Sequence, residues 1–268
     1  MDQAAWRPAG FWAFAAGILA AGALRQPGDL NWQGLALLAL LVDPLWGSIW
    51  RLSGGRRALL ALPPRLNRRE ISLPYLQSGS PAARLLAGDH TDVWPTALRV
   101  GVPAVVLALL VAALLGVYAV GATLVVVVLA ALGWTLRRTY TYGAPMLQST
   151  VAVGLPWLLT VQQVAGLGQI DWRPQIVLAL CWVIHEWGGL RNSQRSDWLG
   201  LLTLGVAQLG MVALLVAVQA PLWLAPLVVL LLPTWLLAYQ QQPLRSLRAV
   251  WLAAMLLSAF ALGQTVGL

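Results

Sequence analysis

The chain has 268 residues, 59% of them hydrophobic and 10% charged, with a mean hydropathy of +0.74 and a formal net charge of +8. This is too apolar for a soluble domain of that size and points to a polytopic membrane protein. All 17 basic residues are Arg and nearly all collect in alternate gaps between apolar stretches, so the charge reads as a cytoplasmic rim drawn to anionic headgroups; with no recognition motif, it reads against nucleic-acid binding.

Each crossing needs about 20 mostly apolar residues for a hydrocarbon core of roughly 30 Å. In chain order the apolar stretches predict about nine helical spans, near 10–25, 32–50, 96–116, 119–136, 144–164, 174–190, 198–217, 221–239 and 248–266. Helices are the expected element because nothing alternates with the period of a barrel strand. Arg7 precedes the first span. Arg51, Arg56, Arg57, Arg65, Arg68, Arg69 and Arg84 lie between the second and third, with Arg99 just inside the third. Residues 100–136 carry no charge, and one helix over them would be about 55 Å long, so a break is predicted near Gly116 to Gly121. Arg137 and Arg138 follow the fourth span, Arg191 and Arg195 the sixth. The next uncharged run divides at Gln219-Ala220-Pro221, and Arg245 and Arg248 separate the last two spans. The opposite side has only Arg25 and Arg173, each near an acid (Asp29, Asp171).

This bias orients the chain N-in and C-out in a bacterial-type inner membrane. Residues 1–268 read as one integral all-α domain with no internal repeat and no cleavable signal pattern. Its main extramembrane segment is the cytoplasmic loop 53–94, in which Ser80-Pro81 is a good start for a short amphipathic helix. A second loop of interest spans 191–197. Trp32, Trp46, Trp50, Trp94, Trp172, Trp187 and Trp198 fall near span ends, as an interfacial aromatic belt would. The lone Cys181 excludes a disulfide within the chain.

Ionisable side chains inside a bilayer are costly and usually functional. Here they avoid the middle of every span, which disfavours an ion-coupled transporter with a midplane site. Asp43 sits eight residues before Arg51, and His185 and Glu186 lie five to six residues before Arg191. Both spans run outward to inward, so these groups are predicted at similar depth. They would line a cytoplasm-facing pocket with Trp46, Trp50, Asn192 and Asp197, rimmed by Arg51, Arg56, Arg57 and Arg191 as candidate anion-binding residues. His185 alone offers an axial ligand for a haem iron or chlorin magnesium, or else a hydrogen-bonded structural residue.

Three stretches carry a family resemblance: Arg7-Pro8 before the first span, Leu41-Val42-Asp43-Pro44-Leu45-Trp46-Gly47-Ser48-Ile49-Trp50-Arg51, and residues 187–205 ending Thr203-Leu204-Gly205. With nine spans and intracellular loops after the second and sixth, the chain resembles the UbiA superfamily of intramembrane prenyltransferases. The resemblance covers nearly the whole chain in architecture and only these stretches in sequence. It implies a helical bundle around an apolar intramembrane cavity, where acidic motifs hold magnesium ions and a prenyl diphosphate. Asp43 aligns with the first acid of the first motif, but Trp46 and Trp50 occupy the next two positions, and indole does not ligate magnesium. In the second region only His185, Glu186, Asn192 and Asp197 are available.

The resemblance therefore implies the fold without the standard chemistry. The expected role is a non-catalytic structural or lipid- or pigment-binding subunit of a larger photosynthetic or respiratory membrane assembly, with no catalytic residue and no metal site assigned. A bound lipid, quinone, carotenoid or chlorin would suit the cavity, and membrane lipids and other membrane subunits are the expected partners. Two alternatives stay open. One is an active prenyltransferase with an altered site, which alone would require magnesium, acting on a quinone precursor or chlorin; the other is an unrelated polytopic protein or transporter.

Overall fold

In a computed structural model of the chain, the described residues are 8–25, 30–52, 101–139, 145–166, 170–195, 198–240 and 247–265. The loop 53–94, its Ser80 helix start, Arg56, Arg57 and Asp197 lie outside them. The described residues contain no strand. They form α1 (Pro8–Ala20), α2 (Trp32–Leu52), α3 (Val102–Leu115), α4 (Val117–Thr139), α5 (145–165), α6 (Trp172–Arg195), α7 (Trp198–Ala217), α8 (Leu224–Tyr239) and α9 (Arg248–Thr265). Five of these segments are long and apolar enough to cross a bilayer: Trp32–Leu52, Val117–Trp134, Trp198–Ala217, Pro221–Tyr239 and Arg248–Thr265. The protein is a multi-pass helical membrane protein.

The breaks follow backbone chemistry. α3 ends where Gly116 takes φ +106, a conformation open to glycine and costly for other residues. After α7 the chain turns through Gln219 at φ 56, then a short 3-10 turn at Pro221–Trp223 opens α8. Asp171 caps α6 by accepting a hydrogen bond from the Arg173 amide at 3.0 Å, which satisfies one of the free donors of the first turn. Two helices carry a π turn, Leu41–Leu45 in α2 and Thr150–Gly154 in α5. Each adjoins a proline: Pro44 lies within the first and Pro156 follows the second by two residues. Proline cannot donate to the carbonyl four residues back and its ring crowds that carbonyl, so the wider i→i+5 register relieves both problems at the cost of one extra residue per turn.

By their contacts the helices fall into two units, Met1–Phe11 with Gln33–Leu147, and Trp12–Trp32 with Gln148–Leu268. In the first unit the π turn and last turns of α2 pack on α3 and α4. In the second, the principal pair is the antiparallel hairpin α6–α7. Its register is read from small residues: Cys181 lies opposite Gly210, Gly188 opposite Thr203 and Asn192 opposite Gly200. A Cβ on Gly188 would stand 2.6 Å from Thr203 Oγ1 and 2.9 Å from the Gly200 carbonyl. Lipid tails are as apolar as leucine, so helices in a bilayer gain by such close backbone approach rather than by apolar burial. α8 and α9 complete this unit, and α5 packs on α6 with Gly154 against Val183.

Candidate functional site

In the first unit the residues singled out are Asp43, Trp46, Trp50 and Arg51, all on α2. The π turn places Asp43 beside the start of α1. There its carboxylate accepts a hydrogen bond from the Phe11 amide, with Arg51, two turns further along α2, close enough to interact electrostatically. Gly10 permits the approach, because a Cβ there would stand 3.1 Å from the Val42 carbonyl and 3.3 Å from Asp43 Oδ1. An acid at a helix N-terminus satisfies a free amide and complements the helix dipole, so Asp43 acts as a cap supplied from another helix.

Trp46 and Trp50 depart from the interfacial placement expected of them: both indoles are buried. Trp46 is 0% exposed, and its Nε1 donates to Thr123 Oγ1 at 3.1 Å, while the Thr123 hydroxyl donates to the Ala119 carbonyl at 2.8 Å. The physical reason is the polar tip of indole, which needs a partner once inside, and Thr123 on α4 supplies one. Trp32 and Trp198, by contrast, are exposed at helix starts, as belt residues are.

In the second unit His185 is 1% exposed and forms the centre of a polar and aromatic cluster drawn from four helices. Trp182 and Trp251 flank its ring at centroid distances of 5.0 and 4.9 Å, the second edge-on at 90°. Gln208 of α7 lies 3.4 Å from His185 Nε2 and accepts from Trp235 Nε1 of α8 at 2.7 Å. Trp251 Nε1 donates to Thr234 Oγ1 at 2.8 Å, and Trp182 Nε1 donates to Ser258 Oγ at 3.0 Å. Indole nitrogen only donates, so Gln208 must turn its carbonyl oxygen to Trp235 and its amino group to His185. His185 Nε2 is then the acceptor, and the ring proton belongs on Nδ1. An imidazole whose Nε2 lone pair faces an amide donor is held as a structural residue and poorly placed to serve as an axial metal ligand through that nitrogen.

Glu186, Arg191 and Asn192 are half-buried on the following turns of α6, with Asn192 against Gly200 at the tight end of the α6–α7 hairpin. Each unit thus gathers its own part of the predicted set: Asp43, Trp46, Trp50 and Arg51 in one, His185, Glu186, Arg191 and Asn192 in the other. A magnesium–diphosphate centre needs a cluster of hard oxygen donors. Among the described residues no three His, Cys, Asp or Glu side chains come together, and Asp43 is committed to Phe11 and Arg51. The described residues within either unit do not make up such a centre.

Sequence reasoning missed Gln208, Thr234, Trp235, Trp251 and Ser258. A signal was available for the first: Gln208 is an amide in the middle of an otherwise apolar run, and an amide in lipid must find a partner. Gln175 is a parallel case, fully buried near the start of α6, where its Nε2 donates at 2.8 Å to the Ala20 carbonyl at the end of α1. That bond satisfies one of the orphan carbonyls of the α1 C-terminus. Compared with models of protein families, with curated proteins and with solved structures, the chain gives no match.

Proposed function

We propose that the chain is a UbiA-like membrane protein of nine spans, N-in and C-out in a bacterial-type inner membrane, that works as a non-catalytic structural, lipid- or pigment-binding subunit of a larger membrane assembly. The observation that carries the reading is the use made of the motif positions on α2. Where the resemblance would place three magnesium-binding acids, Asp43 caps α1 and Trp46 and Trp50 are built into the packing of α2, Trp46 through Thr123. Without metal clusters, ionisation of a prenyl diphosphate loses its main source of charge stabilisation. An apolar intramembrane cavity of the UbiA type would still suit a lipid, quinone, carotenoid or chlorin tail.

Purification from the native membrane tests this. The reading expects a reproducible set of partner subunits with copurifying lipid or pigment. It also expects no magnesium-dependent release of diphosphate from geranylgeranyl, farnesyl or phytyl diphosphate in the presence of aromatic or chlorin acceptors. A monodisperse isolated protein that releases diphosphate, and loses that activity on Asp43→Ala, would establish the altered prenyltransferase instead.

A further inference from the structure

The end of the second unit that carries the α6–α7 and α8–α9 turns closes in a small apolar cluster of Leu204, Leu247 and Trp251. Two large amphipathic side chains stand out from it. Trp198, one turn before Leu201 of the same cluster, is 72% exposed, and Tyr239, next to Ala238, is 90% exposed. Arg248 adjoins Leu247 and is exposed as well. A Cβ on Gly189 of α6 would stand 3.1 Å from the Trp251 ring, which places Arg191, two residues on, toward the same end.

These positions combine the two chemistries of a headgroup layer. Indole and phenol prefer the boundary between hydrocarbon and water, and here one of each is exposed at this end of neighbouring helices. A guanidinium matches a phosphate through paired hydrogen bonds. No exposed Asp or Glu accompanies them among the described residues of these four helices, where Glu186 is half-buried like Arg191, so the exposed charge described at this end is that of Arg248. At the opposite end of the same helices the most exposed large apolar side chain is the aliphatic Leu222, and Asp171 is present there as the α6 cap.

We infer that this end of the second unit is a docking surface for the headgroup of an anionic phospholipid. Trp198 and Tyr239 set its depth, and Arg248, assisted by Arg191, takes the phosphate. The inference rests on the membrane reading above and adds the lipid class and its seat. Zwitterionic lipids share the phosphate, so the discriminating quantity is preference for net negative charge.

The full chain, reconstituted in nanodiscs of phosphatidylcholine alone and of an equimolar mixture with phosphatidylglycerol, provides the test. Lipids retained after extraction into mild detergent are counted by native mass spectrometry. The wild type should retain phosphatidylglycerol over phosphatidylcholine by about five-fold per engaged arginine, and Arg248→Gln should lose about that factor. The preference should also shrink as salt is raised, a readout that needs no variant. Equal retention of the two lipids, a preference unchanged in a folded Arg248→Gln, or one indifferent to salt overturns the inference. A chain that enters neither nanodisc refutes the membrane reading and this inference together, whereas one that enters both without preference refutes the inference alone.

Discussion

Replacing Gln208 by leucine removes the side chain that links Trp235 of α8 to His185 while keeping the volume nearly filled. Two bonds are lost. The contact with Trp235 Nε1 at 2.7 Å is short, and hydrogen bonds between helices in membranes are worth about 0.6 kcal/mol on average and about 1.7 at most, so this one belongs near the top of that range. The contact with His185 Nε2 at 3.4 Å is at the edge of hydrogen-bond geometry and is worth a few tenths. Leucine also leaves a buried imidazole nitrogen without its donor, a penalty of about 1 kcal/mol or more. The expected loss for Gln208→Leu is about 2–3 kcal/mol.

Cys181 supplies the assay. It is the only cysteine, it is buried, and it lies on the face of α6 opposite Gly210, one turn from His185. Its reaction with a thiol dye during graded denaturation in mixed micelles therefore reports opening of this unit without any engineered label. Double-mutant cycles separate the two bonds. Gln208→Leu with Trp235→Phe should show a coupling of about 1 kcal/mol, and Gln208→Leu with His185→Phe a smaller one. A Trp235 coupling indistinguishable from zero, or a cost for Gln208→Leu below about 0.5 kcal/mol, would refute the claim that this amide ties α7 to α8.

Gly188→Leu should destabilise the second unit by more than about 2 kcal/mol in the same labelling experiment, because its Cβ meets the Gly200 backbone, whereas Gly121→Leu, with nothing within 4 Å, should be close to neutral. Trp46→Phe loses the bond to Thr123 and leaves a small cavity where the indole was, for about 2 kcal/mol, while Trp46→Asp buries an unpaired carboxylate and should lower the yield of folded protein sharply, as monitored by size-exclusion of the detergent-solubilised chain. Asp43→Ala removes the cap on α1 at a cost of about 1 kcal/mol, and Asp43→Asn, which keeps an acceptor for the Phe11 amide, should recover much of it in thermal melts. For topology, Ser80→Cys in a Cys181→Ser background should react with an impermeant thiol reagent only when the cytoplasmic face is open; labelling of intact cells from outside would reverse the proposed orientation.

The helices were legible in the sequence because the signal is thermodynamic and local. Apolar runs mark where a helix can lie in lipid, and the breakers at Gly116 and at Gln219-Ala220-Pro221 mark where it must stop; the chain breaks at both. The π turns were not legible, since Pro44 in a span is equally compatible with a kink, a stop or a widened turn, and the choice depends on what the freed carbonyl meets in three dimensions. The candidate site was legible only as a set of residue types. Searching for ionisable groups found Asp43 and His185 but passed over Gln208, although an amide in hydrocarbon is under the same pressure to find a partner as a charge is. The tryptophans misled in a different way. Indole at a span end suggests a belt, yet Trp46 and Trp50 face inward, because Cα position along a helix sets depth and says nothing of azimuth.

How the buried polar atoms are used bears on what the molecule can do. A catalytic site keeps donors and charges oriented toward a space that the substrate will fill, and accepts poor pairing until it does. At the positions where the UbiA resemblance would seek chemistry, the pairing is already made: Asp43 with Phe11 and Arg51, Trp46 with Thr123, and His185 with Gln208 between two indole rings. The Asp43–Phe11, Trp46–Thr123 and His185–Gln208 pairings each link two helices. Each therefore adds to the rigidity of its own unit and subtracts from the chemistry open to a ligand, since recruiting any of these groups would first cost the bond it now makes. That trade is the one the proposed structural role would require. It is also the reason that restoring acids at Trp46 and Trp50 should yield a misfolded chain before it yields a transferase: those positions now belong to the packing of the fold.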